Sequence, residues 1–299
     1  MDLLIRFDQL DEREKYRSVN MGDKYHLGQL KLLMSEIWFL SNYTKFTKAR
    51  SNTVVYVGAA EGFHISYLAQ MFPELQFELW DPRPYKLVLK KNINCNTGFF
   101  TDTIAKQYSG VLFISDIRTQ EISKVMENME EYNKIIVADM MAQYSWIKII
   151  KPAASFLKFK APYGPGKFTY FKGELYLQPY SPKSTELRLL VTNNSKVCDY
   201  DQEEIDEKLA FFNGNLRALV PEKTAEKWRH AMSQLNLKMN WDNLYGLEIV
   251  QSYLTSKNRP DNVNNTVHMF AQIIRFLTSQ YRHKYDIIYE DIKKHKSKK

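Results

Sequence analysis

Residues 54–62, VVYVGAAEG, are the stretch that predicts the fold. The run of apolar, mostly β-branched residues predicts a buried strand, and Gly58 follows it directly. Gly62 comes four residues later, just before a predicted helix that begins at His64. A strand–turn–helix of this kind lets backbone N–H groups approach a ligand closely. Because glycines at this spacing also serve turns needed only for packing, the loop alone leaves both interpretations open.

Asp81 is the acidic partner that such a loop needs. It ends the next predicted strand, on the order of 20 residues further on, where doubly wound folds place an acceptor for ribose hydroxyls. The loop lacks the three glycines of a dinucleotide fingerprint and the lysine of a P-loop. This favours a nucleoside without phosphates, of which S-adenosylmethionine is the common case. The alternative is that Asp81 is a turn or cap residue before Pro82.

Alternating strands and helices predict an α/β fold with a mostly parallel central sheet, helices on both faces and a helical C-terminal extension. The predicted strands are 53–58, 75–80, 99–100, 111–115, 154–160, 168–177 and 187–191. The predicted helices are 28–39, 64–72, 122–150, 203–212, 221–235 and 267–281. No linker rich in Pro, Gly or Ser divides the chain, so we expect an N-terminal arm (1–23), a central domain (24–220), and an extension (221–299) packed on that domain with a basic tail from 293 to 299.

Charge and cysteine content narrow the class of protein. The chain has 42 Lys and Arg against 34 Asp and Glu, a net charge of +8 and a pI near 9.1, which suits a polyanionic partner such as nucleic acid. Cys95 and Cys198 show neither metal-ligand spacing nor a disulfide framework, which favours a reducing compartment. The charged N-terminus does not resemble a signal peptide, and no apolar run reaches the length of a membrane span, so we expect a soluble intracellular protein with no resident metal.

Four charged residues lie in or beside segments that should be buried: Lys31, Asp116, Lys158 and Glu186. An unpaired charge is expensive in such surroundings, so we expect the four side chains to meet. The cluster is either a buried ion-pair network without catalysis or an active site. Lys151 and Lys160 lie close to Lys158 in sequence, and strand alternation puts Lys160 on the same face as Lys158, so periodicity alone does not choose between those two.

Four blocks of sequence, in order, resemble the poxvirus family of cap-specific mRNA nucleoside-2′-O-methyltransferases, which also serve as processivity subunits of the viral poly(A) polymerase. They are YHLGQLKLLMSEIWFLS (25–41) with NTVVYVGAAEGFHISYL (52–68), LFISDIR (112–118), PAASFLKFKAP (152–162) and LQPYSPKSTELRLL (177–190). The resemblance covers roughly 25–194 and, more weakly, extends to 212. It implies a Rossmann-like fold and an enzyme that uses S-adenosylmethionine as methyl donor. The implied reaction is methylation of the ribose 2′-hydroxyl of the first transcribed nucleotide (cap 0 to cap 1).

The resemblance also implies roles for individual residues. Lys31, Asp116, Lys158 and Glu186 take the family's catalytic tetrad, with Lys158 as general base or hydroxyl-orienting group. Such a base needs a pKa lowered toward neutrality by desolvation and a nearby like charge, here Lys31. The residues implied at the methyl donor are Gln29, Tyr56, Gly58, Ala59, Gly62, His64, Asp81, Arg83, Phe100, Asp116 and Arg118. The residues implied at the methylated guanine of the cap are Tyr16, Tyr163 and Glu207, with the two tyrosines as stacking faces.

The chain departs from the family pattern at two positions. Glu61 replaces a loop proline, which alters loop stiffness and adds a charge that repels phosphates. Pro165 stands where the family places a carboxylate for the guanine edge, so either the cap is held less firmly or the 164–167 loop reaches guanine with other groups. Two alternatives to cap methylation follow: an RNA-binding processivity subunit of a viral poly(A) polymerase, compatible with the enzyme activity, and a 2′-O-methyltransferase on uncapped RNA. The resemblance implies work in the host cytoplasm, at the virus factory, with packaging in the virion left open.

Overall fold

The computed structural model describes residues 6–15, 27–44, 52–119, 128–183, 186–220 and 222–280. The strands within these residues are β1 (Thr53–Val57), β2 (Gln76–Asp81), β3 (Ile93–Thr97), β4 (Leu112–Ser115), β5 (Ala154–Lys160), β6 (Lys167–Phe171), β7 (Glu174–Tyr176), β8 (Glu186–Val191) and β9 (Val197–Asp201). The α-helices are α1 (Gly28–Tyr43), α2 (Ile65–Met71), α3 (Asp102–Ala105), α4 (Met129–Ile150), α5 (Gln202–Phe211), α6 (Glu222–Gln234), α7 (Trp241–Ser256) and α8 (Val263–Gln280). None of the helices in this described part of the chain is long and apolar enough to cross a membrane.

The main sheet has seven strands in the order β3-β2-β1-β4-β5-β8-β7. Strands β1 to β5 pair in parallel, and β8 and β7 add an antiparallel edge. Both central strands, β1 and β4, are almost fully buried, as expected for parallel strands covered on two faces. The prediction of a mostly parallel, Rossmann-like α/β fold is confirmed. The strand order reverses between β1 and β4, which is where doubly wound folds bind ligands.

The chain forms two compact units. The sheet unit comprises the described residues of Tyr43–Leu177 and Thr185–Leu209. The helical unit comprises the described residues of Met1–Asn42, Gln178–Ser184 and Ala210–Lys299. The domain boundaries expected from sequence, at 23/24 and 220/221, stay a prediction.

The helical unit is organised around α7. Its apolar residues are buried on several sides, so the helix lacks the one-sided stripe that marks a surface helix. Gly246 lies in the middle of α7 because a Cβ there would come within 2.6 Å of the Tyr180 hydroxyl. That hydroxyl donates to Oδ1 of Asn243 at 3.2 Å, which ties the 178–183 segment to the helix. We did not predict α7 from the sequence because its apolar pattern is nearly all-round.

Two strand predictions were wrong, and one further strand was not predicted. Residues 99–100 form no strand; β3 is Ile93–Thr97, an edge strand whose polar residues carry no strand signal. Its Asn94 side chain donates to Glu78 at 2.8 Å. The predicted strand 168–177 is two strands, β6 in a second sheet and β7 in the main sheet. They are separated at Gly173, where a side chain would collide with the carbonyl of Leu190. The partner of β6 is β9, polar and half-exposed, where only helices were expected beyond residue 193.

Other predicted elements agree with the structure to within a few residues. The helix predicted for 122–150 is present from Met129, and Asn128 caps it by accepting from the backbone N–H groups of Glu130 and Glu131. Residues 122–127 of that prediction, Tyr281 and the basic tail at 293–299 lie outside the described residues, as does most of the predicted N-terminal arm. Cys95 and Cys198 are both free thiols.

Candidate functional site

The glycine loop after β1 lies against the loop after β4. Gly58 has φ +81°, and a Cβ on it would come within 2.7 Å of the carbonyl carbon of Asp116. The two loops are joined by the Asp116 N–H, which donates to the carbonyl of Val57 at 2.9 Å. Gly62 has φ +79°, and a Cβ there would meet the Leu87 side chain at 2.9 Å. Both glycines therefore serve close approach and positive φ at the switch point of the sheet.

Asp81 ends β2 and fastens the glycine loop to that strand. Its carboxylate is 2% exposed; Oδ2 accepts from the Ala60 N–H at 3.0 Å. Arg83 donates to the same carboxylate through its backbone N–H and through Nε and Nη2, at 2.9–3.0 Å, and Nη2 also reaches the carbonyl of Ala60 at 2.9 Å. The hydrogen bond with Asp81 raises the pKa of Arg83. The turn interpretation and the ribose-acceptor interpretation of Asp81 are thus compatible, since the same carboxylate borders the loop.

Glu61, where the resemblance expects proline, has its charge paired. Its Oε1 lies 2.6 Å from Nζ of Lys86, and its carbonyl accepts from the Lys86 N–H at 3.0 Å. The Ala60–Glu61 peptide bond is cis. The negative charge that was expected to repel phosphates is therefore compensated by a neighbouring ammonium.

The remaining residues implied at the methyl donor are mostly buried. Tyr56 lies on β1, and its ring makes an edge contact with His64, which precedes α2. Ala59 is buried in the glycine loop, and Phe100 packs edge-on against Trp146 at 5.1 Å between ring centroids. Gln29 lies on α1, in the helical unit. Their roles at the donor stay predictions.

Three of the four tetrad residues meet in the sheet unit. Nζ of Lys158, on β5, lies 3.2 Å from Oδ1 of Asp116, just after β4, and 3.5 Å from Oε2 of Glu186, at the start of β8. Their side chains are 11–16% exposed. Lys31 is buried on α1 in the helical unit, and its membership of the cluster stays a prediction. The expectation that buried charges are paired is confirmed for the other three.

Two arginines complete the ion-pair network, and sequence reasoning missed one of them. Arg188 is fully buried; Nη2 donates to Oδ1 of Asp116 and Nη1 to the carbonyl of Ser115, each at 2.8 Å. Arg118, which was predicted, donates to Oε2 of Glu186 at 2.8 Å. Arg188 lies two residues after Glu186 on the same strand, so period-two alternation placed it on the cluster's face and was the signal available.

The register of β5 against β8 explains why these charges converge. The strands are antiparallel, with Lys158 opposite Arg188 and Lys160 opposite Glu186. Directly opposed residues share a face of the sheet, and so do residues two apart, so all four side chains project from one face. The charges therefore compensate one another across a single strand pair.

Lys160 has a different neighbourhood from Lys158. Its Nζ lies 3.4 Å from Oδ1 of Asp206, on α5, and 3.7 Å from the centroid of the Tyr163 ring. Burial lowers the pKa of Lys160 to about 8, against the opposing effect of Asp206 and Glu186. Lys151 is exposed at the C-terminal end of α4. Of the two lysines that strand periodicity left open, Lys158 is the one held by Asp116 and Glu186 together.

The residues implied at the cap are only partly described. Tyr163 follows β5, and its backbone is clamped by Asn133 of α4: the Tyr163 N–H donates to Oδ1 at 2.8 Å and Nδ2 donates to the Tyr163 carbonyl at 2.9 Å. Its ring stacks beside Tyr132, 5.8 Å between centroids. Glu207 lies half-exposed on α5, and Tyr16 lies outside the described residues. Cap binding by these residues stays a prediction.

The strand order, with a glycine loop and a lysine–carboxylate cluster at the carboxyl ends of the parallel strands, defines a Rossmann-like protein. The family model described as the poly A polymerase regulatory subunit matches residues 3–279. The chain belongs to this family. The match also carries the resemblance well beyond residue 212.

Viral relatives agree with this membership. The cap-specific mRNA (nucleoside-2′-O-)-methyltransferase of Myxoma virus (strain Lausanne) is 26% identical over 297 residues, covering 91% of this chain and 83% of that protein. The protein of the same name from Fowlpox virus (strain NVSL) is 31% identical over 241 residues, covering 72% of this chain and 76% of that protein. These findings confirm the predicted resemblance.

Proposed function

We propose that this protein transfers a methyl group from S-adenosylmethionine to the ribose 2′-hydroxyl of the first transcribed nucleotide of capped mRNA, converting cap 0 to cap 1. The observation that carries the proposal is the position of Nζ of Lys158, held 3.2 Å from Asp116 and 3.5 Å from Glu186 at the site beside the glycine loop. The names of the viral relatives supply the reaction class.

The residues present fit a sulfonium nucleoside. The absence of a side chain at Gly58 lets the glycine loop lie directly against the Asp116 backbone, and Asp81 offers a buried carboxylate at the end of β2. Asp81 and Arg83 would hold the ribose and its neighbouring polar groups, and the 58–62 loop would hold the rest of the nucleoside. When bound, the donor supplies an electrophilic methyl group.

Lys158 acts on the ribose hydroxyl that is to be methylated. Two roles fit its geometry: the amine accepts the hydroxyl proton as a general base, or the ammonium orients the hydroxyl by donating to it. In both, Asp116 and Glu186 hold the amino group in position. Alignment of two reactants alone removes on the order of 7–11 kcal/mol from a barrier, so this positioning is a substantial part of catalysis.

The network of arginines limits how far the carboxylates move. Arg188 holds Asp116 from within the sheet, and Arg118 holds Glu186 from the more exposed side, where its side chain is 41% exposed. Lys158 therefore contacts two acceptors that are themselves fixed. A lysine held by two fixed acceptors keeps one orientation more readily than a lysine in solvent.

The decisive experiment offers short capped and uncapped RNAs with an isotope-labelled donor and locates the methyl group after nuclease digestion. We expect label on the 2′-oxygen of the first nucleotide of capped RNA. Lys158→Ala should abolish transfer while donor binding and the fold survive. The matched control is Lys172→Ala, which changes an exposed lysine immediately after β6 and should leave transfer unchanged. Methyl transfer to uncapped RNA alone would contradict cap dependence and favour a 2′-O-methyltransferase on uncapped RNA. Full activity of Lys158→Ala would reject Lys158 as the base or hydroxyl-orienting group.

A second function is favoured by the family match: a processivity subunit for a viral poly(A) polymerase. It requires no methyl transfer, so the two functions are separable in one protein. Adding wild-type protein and Lys158→Ala to the polymerase catalytic subunit should lengthen poly(A) tails equally. A tail-length effect lost in Lys158→Ala would link the functions instead.

For both activities we expect the protein to work in the host cytoplasm, at the virus factory. Immunoblotting of purified particles would test whether it is also packaged in the virion.

A further inference from the structure

Lys160 and Asp206 form a buried ion pair that the methyl-transfer centre does not use. Lys160 lies two residues beyond Lys158 on β5, but its amino group meets α5 at Oδ1 of Asp206, 3.4 Å away. The side chains are 13% and 9% exposed. A buried ion pair of this kind often adds little stability, because desolvation of both charges offsets their attraction.

The same ammonium covers an aromatic ring. Nζ of Lys160 lies 3.7 Å from the centroid of Tyr163, the distance of a close cation–π contact. Asn133 clamps the Tyr163 backbone on both its N–H and its carbonyl, so the ring is carried on a fixed support. One face of the ring that the cap was expected to use is therefore occupied by a cation belonging to the chain.

The Tyr163 ring and the Asp206 carboxylate together can bind one positive charge and accept hydrogen bonds from N–H donors. A ring face and a carboxylate together compensate a single cation, and burial lowers the pKa of Lys160 to about 8 despite the neighbouring Asp206 and Glu186. A flat cationic base with N–H groups on its edge would satisfy the same two partners: its face against Tyr163 and its edge against the carboxylate.

We propose that Lys160 is a resident substitute for the positively charged N7-methylated guanine of the cap: the base displaces the ammonium from the Tyr163 ring, and Asp206 then accepts hydrogen bonds from the N–H groups of the guanine edge. The proposal rests on the proposed cap-dependent function. It assigns to Asp206 the carboxylate role for which position 165 has only proline.

Charge compensation explains how this device selects the methylated base. A cationic base that replaces the ammonium leaves Asp206 compensated, whereas a neutral guanine leaves a buried carboxylate without a cation. The ammonium also competes with every base for the ring. Removing the Lys160 ammonium should therefore strengthen binding of the methylated, cationic base more than binding of neutral guanine. Removing the Asp206 carboxylate should weaken binding of the cationic base more than binding of the neutral one.

The test measures binding of 7-methylguanosine triphosphate and of GTP to the full chain by calorimetry. Asp206→Asn should weaken binding of the methylated nucleotide about ten-fold. Lys160→Met should tighten it and should raise the ratio of methylated to unmethylated affinity, by about ten-fold. Glu204→Gln, on the same helix and paired with Lys208, is the matched control and should leave both affinities unchanged.

Thermal unfolding of each variant keeps folding defects apart from binding. The inference is overturned if Lys160→Met weakens binding as Asp206→Asn does, because the pair would then only support the Tyr163 loop. It also falls if Asp206→Asn binds like wild type while capped RNA is still methylated, which leaves the proposed function intact. If wild-type protein binds neither nucleotide yet methylates uncapped RNA, the cap-dependent function and this inference fail together.

Discussion

Lys158 and Arg188 face each other across the antiparallel β5–β8 pair, and both reach the same oxygen, Oδ1 of Asp116, at 3.2 and 2.8 Å. The shared acceptor couples a lysine near the proposed substrate to a fully buried arginine. Arg188 is linked to Lys158 through Asp116, so we propose that it acts by positioning Asp116 and, through it, Lys158.

Replacing Arg188 should therefore harm both stability and catalysis. Arg188→Met leaves the partly buried Asp116 without its strongest partner, so we expect a loss of about 3 kcal/mol in the free energy of unfolding, measured with urea. Methyl transfer should fall through kcat with little change in KM. Arg118→Met, whose side chain is 41% exposed, should cost no more than about 1 kcal/mol. Equal losses in the two variants would contradict the positioning role.

A side chain at Gly58 should displace the loop that carries Asp116. In Gly58→Ala the backbone holds the new alanine at a positive φ, which costs about 1–2 kcal/mol. The added Cβ also comes within 2.7 Å of the Asp116 backbone. Gly164→Ala has a positive φ but nothing within 4 Å of the new Cβ, so it measures the first effect alone. We expect donor binding, followed by calorimetry with S-adenosylhomocysteine, to be lost in Gly58→Ala and retained in Gly164→Ala.

The Asp81 carboxylate should be needed for the nucleoside. Asp81→Asn keeps the shape but removes the charge that Arg83 and the Ala60 N–H address, so we expect S-adenosylhomocysteine affinity to fall about ten-fold or more. Asp102→Asn, an exposed carboxylate that accepts from Ser145, serves as control. Unchanged affinity in Asp81→Asn would leave Asp81 as a turn residue only.

The lowered pKa of Lys160 makes stability depend on pH. Between about pH 8 and its ordinary value of 10.5 the unfolded chain holds the Lys160 proton and the folded chain releases it, so stability rises with pH in this window. Relative to Lys160→Met, wild-type protein should gain about 2 kcal/mol in unfolding free energy from pH 8 to pH 10.

Urea unfolding of both proteins across this range isolates Lys160, because every other titrating group is common to them. A constant difference between wild type and Lys160→Met would show that the charge of Lys160 carries no burial cost.

The sequence by itself determined where the central strands lie along the chain and where the glycine loop and Asp81 follow them. It also determined that Asp116, Lys158 and Glu186 need charged partners. These follow from short-range rules: β-branched runs form strands, glycine permits positive φ, and a charge in an apolar segment must be paired. Where short-range signals were weak, prediction failed, as with the asparagine-rich β3, the polar β9 and the evenly apolar α7.

Tertiary structure alone decided which partner each charge has. Arg188 joins Asp116, and Lys160 turns to Asp206 and Tyr163, because the β5–β8 register and the approach of α5 bring together residues far apart in the chain. Burial then sets the cost of each charge, which depends on neighbours from every packed element. Lys158 and Lys160 share a strand face and a residue type, so only these contacts separate the proposed reaction centre from the proposed cap site.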